Sequence, residues 1–186
     1  MAVEEAGVSE RLDRLFTPTP VAVAWRDRFV ATLGAFAGIL LTALICTWLM
    51  PGREGAMVLV ASMGSSSVLL FAVPESPFGQ PWQVIGGNIV SALSGAAAVQ
   101  LFGHGPLAAA TAVSLGVFGM AVLRCMHPPG GGASLLPVLD THGSAAATFG
   151  FALFPVGFNA VVLVLVAILF HRFSGRAYPH PRGRGQ

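Results

Sequence analysis

Charge is nearly absent from the long middle of this chain, and this scarcity constrains its fold more than any motif does. Between residues 29 and 170 the formal charges are those of Arg53, Glu54, Glu75, Arg124 and Asp140. A soluble domain of that length needs many more charged side chains to stay hydrated. Because hydrophobic residues make up 54% and charged residues 10% of the sequence, we predict an all-α polytopic membrane protein whose main partner is the lipid bilayer.

Uncharged apolar runs divide the chain into about six membrane segments. Residues 29–50 form a run of 22 residues, which at ~1.5 Å per residue spans the ~30 Å hydrocarbon core of a bilayer. The remaining predicted segments are residues 56–73, 84–102, 107–123, 131–151 and 155–170. The sequence thus predicts one transmembrane domain over residues 29–172, between polar tails at 1–28 and 173–186.

The second and fifth segments contain residues that interrupt helices. In the second segment Gly64 is followed by three serines, whose hydroxyls either line a polar path or bond back to their own helix. In the fifth segment Pro137 and the polar stretch 140–143 break the apolar run. We expect both segments to be broken or re-entrant, so that the fifth does not necessarily cross the membrane.

A weak internal repeat relates the two halves of the chain. Residues 51–56 and 128–133 share proline, glycine and alanine at matching offsets, and Asn88 and Asn159 open the third segment of each half. Three segments per half place the second half in the inverted orientation. We therefore predict two inverted three-helix halves, with the binding site between the interrupted second and fifth segments.

The arginines predict the orientation in the membrane. All ten basic residues are arginines, and nine of them lie in the terminal regions or at Arg124. Six segments place these nine on one side and Arg53 on the other. This distribution predicts an integral protein of a bacterial inner (plasma) membrane with both termini cytoplasmic, and it does not indicate nucleic-acid binding.

The stretch 124–134 is the predicted binding site. Arg124 and His127 are ionisable groups in an apolar region, where such groups are functional by default. Two prolines end the preceding helix, and the glycines after them allow a new helix whose first amide groups attract an anion. The predicted anion-binding residues are Arg124, His127, Gly131, Gly132, Ser65, Ser66 and Ser67.

Some of these residues allow more than one interpretation. For His127 the alternatives are a direct hydrogen-bond donor to the anion, the carrier of a coupled proton, and a structural cap that holds the proline turn. Asp140 and His142 form a coupling pair or bracket an exposed turn, and we favour the turn. A candidate polar pathway comprises Asn88, Asn159, Asp140 and His142. Cys46 and Cys125 have no metal-like spacing, so no metal site, cofactor or disulfide framework is expected.

Two motifs resemble the HPP family of integral membrane proteins over roughly residues 29–172. The first is His127–Pro128–Pro129–Gly130, and the second is the run 64–71 with the prolines that follow it. The residues that we assign to these structural motifs are Pro128, Pro129, Gly130, Pro77, Gln80 and Pro81. The family is usually described with four membrane helices, fewer than predicted here, and many members carry a histidine at the position of Asn88.

The resemblance also implies a function, because plant and cyanobacterial relatives are implicated in nitrite transport. We expect a transporter or channel for a small inorganic anion, with nitrite first and nitrate or bicarbonate as alternatives. The alternative function class is a non-transporting scaffold or sensor subunit. Besides lipid and the anion, a second copy of the chain is a candidate partner, in a homo-oligomer. No enzyme activity is expected, since no nucleophile–base or metal-cluster spacing occurs.

Overall fold

A computed structural model describes residues 24–49, 63–140 and 149–180 of the chain. Over these ranges the regular structure is helical and no strand occurs, which confirms the predicted all-α class. The helices in chain order are α1 (Trp25–Leu49), α2 (Met63–Ala72), α3 (Pro81–Phe102), α4 (Pro106–Val122), α5 (Gly130–Leu139) and α6 (Phe149–Ser174). A short 3-10 turn, Pro77–Gly79, precedes α3.

Three of these helices are long and apolar enough to cross a membrane. They are α1, α3 and α6, with 25, 22 and 26 residues. Helix α4 has 17 residues, the lower limit of a spanning helix. Helix α5 has 10 residues, and the described part of α2 has the same length, which is too short for a crossing. The predicted segments 84–102 and 107–123 coincide closely with α3 and α4.

The irregular parts of the helices differ from the predicted breaks. Gly64 and the three serines after it lie in regular helix, and the chain widens into a π-helix only at Val68–Ala72. A second π segment occupies Ala152–Gly157 in α6. Pro137 lies inside α5 without ending it. Residues 51–56, which carry half of the repeat, and residues 141–148 lie outside the described residues.

Helix α3 is the centre of the packing. It packs against α4 and α5, and α6 packs against α1 and the π-helical end of α2. Helices α3 and α6 also contact each other through the π segment of α6. An ion pair of 2.8 Å between Arg176 and Asp27 joins the end of α6 to the start of α1. The third helix of each predicted half therefore packs against the helices of the other half.

Gly34 and Gly38 admit the ring of Phe71 against α1. A Cβ atom at Gly34 would lie 2.5 Å from Phe71 Cδ1, and one at Gly38 would lie 2.6 Å from Phe71 Cε2. The ring is fully buried and makes an edge-to-face contact with Phe170, with centroids 5.5 Å apart. The two glycines thus provide the close approach that their spacing of four residues allows.

Residues 175–180, which belong to the predicted C-terminal tail, lie against the connection between α2 and α3. The Tyr178 hydroxyl donates to the Gly79 carbonyl at 2.9 Å, and Tyr178 is buried. The backbone N–H of His180 donates to Gln80 Oε1, also at 2.9 Å. This part of the tail is therefore packed structure that holds the connection in place.

Gly38→Ala is expected to lower the free energy of unfolding by about 1–3 kcal/mol, because a new methyl group would overlap the buried ring of Phe71. Gly64→Ala is the matched control, since a Cβ atom there meets no atom within 4 Å. Both glycines are helical, so helix propensity affects the two variants alike. Thermal unfolding of the detergent-purified protein measures the difference, and equal midpoints for the two variants would contradict the close packing.

Candidate functional site

The stretch around Arg124 forms because α4 ends before it. The helix ends at Val122, and Arg124 adopts a left-handed conformation with φ of 52°, which is uncommon for a residue other than glycine. The Cys125 N–H donates to the Met120 carbonyl at 2.9 Å, and the indole of Trp82 donates to the Leu123 carbonyl at 3.3 Å. Since the helix does not continue, Arg124 and His127 do not share a helical face.

Arg124 lies at the edge of a cleft of about 300 Å³. The lining residues come from the connection before α3, from α3 and α4, and from the stretch after α4: Pro77, Phe78, Gln83, Met120, Ala121, Arg124 and Met126. Arg124 is exposed, and its guanidinium has no ion pair or hydrogen bond to another described residue. The cleft therefore offers one positive charge that no described residue neutralises, within largely apolar walls.

His127 is fully buried and connects three parts of the chain. Its Nδ1 lies 2.8 Å from the carbonyl oxygen of Phe78, and its Nε2 lies 2.9 Å from the hydroxyl of Ser66 in α2. A carbonyl only accepts, so Nδ1 carries the proton, and in the neutral imidazole Nε2 accepts from Ser66. This is the arrangement expected of a structural cap.

The surroundings also set the charge of His127, which lies in the connection between α4 and α5. Burial lowers the pKa of His127 to about 4, because the imidazolium would lose its hydration and only the Phe78 carbonyl favours it. At neutral pH the ring is therefore uncharged. The fixed positive charge of the cleft comes from Arg124 alone among the residues that line it.

The three predicted serines of α2 have different environments. Ser66 is buried and reaches His127, as described above. The hydroxyl of Ser67 donates to the Gly64 carbonyl of its own helix at 2.7 Å, and Ser65 is exposed. Ser66 joins α2 to the predicted site, because its hydroxyl bonds the site histidine.

The first amide groups of α5 are engaged within the turn. The N–H of Gly131 donates to the Pro128 carbonyl at 3.1 Å, and that of Gly132 donates to the Pro129 carbonyl at 3.0 Å. An anion at this helix start would compete with these bonds. A Cβ atom at either glycine would meet no neighbouring atom within 4 Å, so the space beside them is open.

Gly87 and Gly130 show where the backbone itself is closely packed. A Cβ atom at Gly87 would lie 2.8 Å from the carbonyl oxygen of Cys125, and one at Gly130 would lie 2.6 Å from Ser91 Oγ. A side chain at either position would push the stretch after α4 away from α3. No local sequence pattern indicates that position 87 requires glycine, because the need arises from packing against Cys125.

The remaining motif residues build the connection before α3. Gln80 Nε2 donates to the carbonyls of Pro74 and Ser76, both at 3.0 Å, and thereby closes a loop around the 3-10 turn. Pro77 lines the cleft, and Pro81 occupies the first turn of α3, where its missing N–H leaves no helix bond unmade. These residues hold Phe78 next to His127.

Of the predicted polar-pathway residues, the three that the structure describes do not line the cleft. Asn88 and Asn159 are fully buried in α3 and α6, and each has one side-chain atom without a hydrogen-bond partner in the described part of the chain. Asp140 is exposed at the end of α5, and His142 lies outside the described residues. Over the described ranges, no group of three or more histidine, cysteine, aspartate or glutamate residues is placed to hold a metal ion.

His171 is a buried polar residue that the sequence analysis missed. It is fully buried in α6, and its Nε2 lies 2.8 Å from the carbonyl oxygen of Leu70. Its Nδ1 has no hydrogen-bond partner among the described residues. In the sequence His171 stands next to Arg172 at the end of the last apolar segment, where a histidine is usually interfacial. Its bond to the π-helical part of α2 shows that it is instead part of the core.

Comparison with known proteins agrees with the two motifs. A family model described as HPP, transmembrane region, matches residues 20–179. A transmembrane protein of Dictyostelium discoideum is 34% identical over 152 residues, which cover 79% of this chain and 48% of that protein. A second transmembrane protein of the same organism is 34% identical over 156 residues, covering 79% and 53%.

The chain spans about half the length of these curated relatives. No solved structure matches it. The family match extends over most of the chain and includes the connection before α3, the His127 stretch and the end of α6. Together with its long apolar helices, this match shows that the chain is an integral membrane protein and belongs to the HPP transmembrane family.

Proposed function

We propose that this protein is a transporter or channel for a small inorganic anion, which it captures in the cleft beside Arg124. The observation that carries the proposal is the guanidinium of Arg124, which pairs with no other described residue and lines a cleft with mostly apolar walls. An arginine that only oriented the chain in the membrane would not need a cleft. The proposal places the anion at this residue and Gln83, whose side-chain amide adds a donor.

The chemistry of the guanidinium suits an oxyanion. Arginine remains charged over the working pH range and binds planar oxygen pairs through two parallel N–H groups. The side chains of Phe78, Met120 and Met126 lower the local polarity, which strengthens the attraction relative to open water. Nitrite, nitrate and bicarbonate all present such oxygen pairs, and nitrite is the first candidate because relatives of the HPP family are implicated in its transport.

His127 supports this site without adding charge. Its ring joins Ser66 to the Phe78 carbonyl, so it positions α2 and one wall of the cleft together. Both residues are fully buried and neither lines the cleft, so they support its wall and do not contact the anion. A role for His127 as a proton carrier at neutral pH is not part of the proposal.

We also propose that the six helices are two inverted three-helix halves with both termini cytoplasmic, in a bacterial inner membrane. The exchange of third helices supports the arrangement: α3 packs against α4 and α5, while α6 packs against α1 and α2. A two-fold relation between halves produces this reciprocal pattern. Nine of ten arginines then lie on the cytoplasmic side.

Arg124→Gln is expected to weaken anion uptake at least tenfold, because a charge-assisted hydrogen bond is worth about 1.5–3 kcal/mol. The measurement is the concentration dependence of labelled nitrite uptake into proteoliposomes, with protein-free vesicles subtracted. Arg172→Gln is the matched control, since Arg172 is an exposed arginine that does not line the cleft. Unchanged uptake by Arg124→Gln would contradict the proposal, and no protein-dependent uptake at all would favour a scaffold or sensor subunit.

The pH dependence of stability tests the state of His127. Because the pKa of His127 is lowered from 6.5 to about 4 in the folded protein, its contribution is full above about pH 6.5 and is lost as the pH falls towards 4. The unfolding midpoint should therefore decrease over this window, and His127→Gln should flatten the decrease. His104→Gln is the matched control, as His104 is an exposed residue whose ring also bonds a backbone carbonyl, that of Val138, and does not line the cleft. An unaltered slope in His127→Gln would show that His127 is not held neutral.

Reporter fusions test the orientation. Fusions after Arg14 and after Arg184 should both report the cytoplasm, because the predicted number of crossings is even and arginines are retained on that side. A fusion within the loop that follows α4 provides an internal reference. Opposite locations for the two ends would contradict the six-segment arrangement.

A further inference from the structure

Residues 175–180 form a strap that lies against the connection between α2 and α3, and no residue of this strap lines the cleft. The Tyr178 hydroxyl donates to the Gly79 carbonyl at 2.9 Å. The backbone N–H of His180 donates to Gln80 Oε1, also at 2.9 Å. The strap is therefore bonded to the connection at two successive residues.

The strap is also fixed to three helices. The guanidinium of Arg176 donates to the Phe71 carbonyl, at the π-helical end of α2, at 3.4 Å. It donates to the Asp27 carbonyl at 3.2 Å and forms an ion pair of 2.8 Å with the Asp27 carboxylate, at the start of α1. The ring of Tyr178 packs against that of His171 in α6, with centroids 5.3 Å apart. The position of the strap thus does not depend on the connection alone.

Phe78 is the residue through which the connection meets the cleft. It lines the cleft, and its carbonyl accepts from His127 Nδ1 at 2.8 Å. The next residue, Gly79, is buried and is the one that Tyr178 holds. Successive peptide groups are rigid planes joined at one Cα atom. A displacement of Gly79 therefore also moves the Phe78 carbonyl, to which His127 is bonded.

Tyr178 is a constant donor at this point. Burial raises the pKa of the Tyr178 phenol, because the phenolate would lose its hydration. The hydroxyl stays protonated throughout the working pH range and can donate to Gly79 in all of it. An acceptor left unpaired at a buried residue costs more than the net contribution of the bond itself. The bond between strap and connection is thus favoured over an open arrangement.

We propose that Tyr178 is a positioning residue for anion binding in the cleft beside Arg124. Through Gly79 it fixes Phe78, and through the Phe78 carbonyl it fixes His127. This inference rests on the proposed function, because it assigns the strap an effect on the affinity for the anion. A site that is already ordered binds more tightly than one that is ordered only on binding. The strap acts through the wall of the cleft and does not touch the anion.

Tyr178→Phe removes the hydroxyl and keeps the ring that packs against His171. The half-saturating concentration for labelled nitrite uptake into proteoliposomes should rise about three- to tenfold, the range that one net hydrogen bond contributes. A purely structural role would lower the amount of active protein and hence the maximal uptake, and would leave the half-saturating concentration unchanged. Thr42→Val is the matched control, because it removes a buried hydroxyl that bonds a backbone carbonyl, that of Gly38, in a helix that does not line the cleft.

Amide hydrogen exchange of the detergent-purified protein tests the positioning without a ligand. In Tyr178→Phe the amides of residues 76–79 and 125–130, several of which bond within turns, should exchange faster than in the unmodified protein. The amide of Gly103 is the internal reference, since it bonds the Val99 carbonyl at the other end of α3. Its exchange should be the same in both proteins.

The outcomes distinguish the two proposals. Uptake by the unmodified protein with an unchanged half-saturating concentration in Tyr178→Phe overturns the inference and leaves anion transport in place, as does an equal rise in Thr42→Val. Uptake no greater than that of protein-free vesicles overturns the proposed function. Exchange then decides the positioning role by itself: faster exchange of residues 76–79 and 125–130 supports it. Equal exchange in the two proteins overturns the inference whatever the uptake.

Discussion

The arrangement of the cleft depends on one buried imidazole. His127 bonds the Phe78 carbonyl through one ring nitrogen and the Ser66 hydroxyl through the other. These two bonds join α2, the connection before α3 and the stretch after α4, which are separated by up to 61 residues in sequence. In a segment with little water, each of these polar groups would otherwise remain unpaired at considerable cost. The proline and glycine residues around His127 place the ring where both bonds form.

Close backbone approach makes this placement possible. Gly87 lies against the Cys125 carbonyl, and Gly130 lies against Ser91, so the stretch after α4 rests directly on α3. Small residues are enriched at helix contacts in membranes. Lipid provides no hydrophobic driving force for helix association, so close packing must provide the stabilisation. The same feature recurs at Gly34 and Gly38, where α1 receives the ring of Phe71. Glycine thus sets the distances on which the polar contacts depend.

The sequence predicted α1, α3 and α4 closely, because apolar runs of the right length are a local signal. It assigned residues 149–151 to the fifth segment, whereas they begin α6. It located the irregular part of α2 wrongly, at Gly64 instead of at the π-helix that follows. The reason is that the Leu70 and Phe71 carbonyls of the π-helix accept from His171 and Arg176, at 2.8 and 3.4 Å. These partners lie more than a hundred residues away, and no local pattern indicates them. The all-helical class follows from composition, whereas this irregularity follows from packing.

The candidate site was likewise predicted only in part, because contacts between distant residues shape it. The sequence identified Arg124 and His127, since ionisable residues are rare in apolar surroundings. It did not show that Arg124 faces a cleft while His127 is buried, because that difference arises where α4 ends at Val122. The free amides expected at Gly131 and Gly132 are instead bonded to the proline carbonyls. Each bond joins an N–H group to the carbonyl three residues earlier, within the turn that starts α5. The spacing of residues in the sequence does not reveal whether the N–H groups at a helix start are free or bonded in this way.

Ligand-dependent thermal unfolding tests the central claim most directly. The account holds that Arg124 supplies the charge that binds a small inorganic anion, and binding to the folded state raises its stability by mass action. The unfolding midpoint of the detergent-purified protein should therefore rise with nitrite concentration at constant ionic strength, and the midpoint of Arg124→Gln should not. An equal rise in both proteins, or no rise in either, would contradict the account.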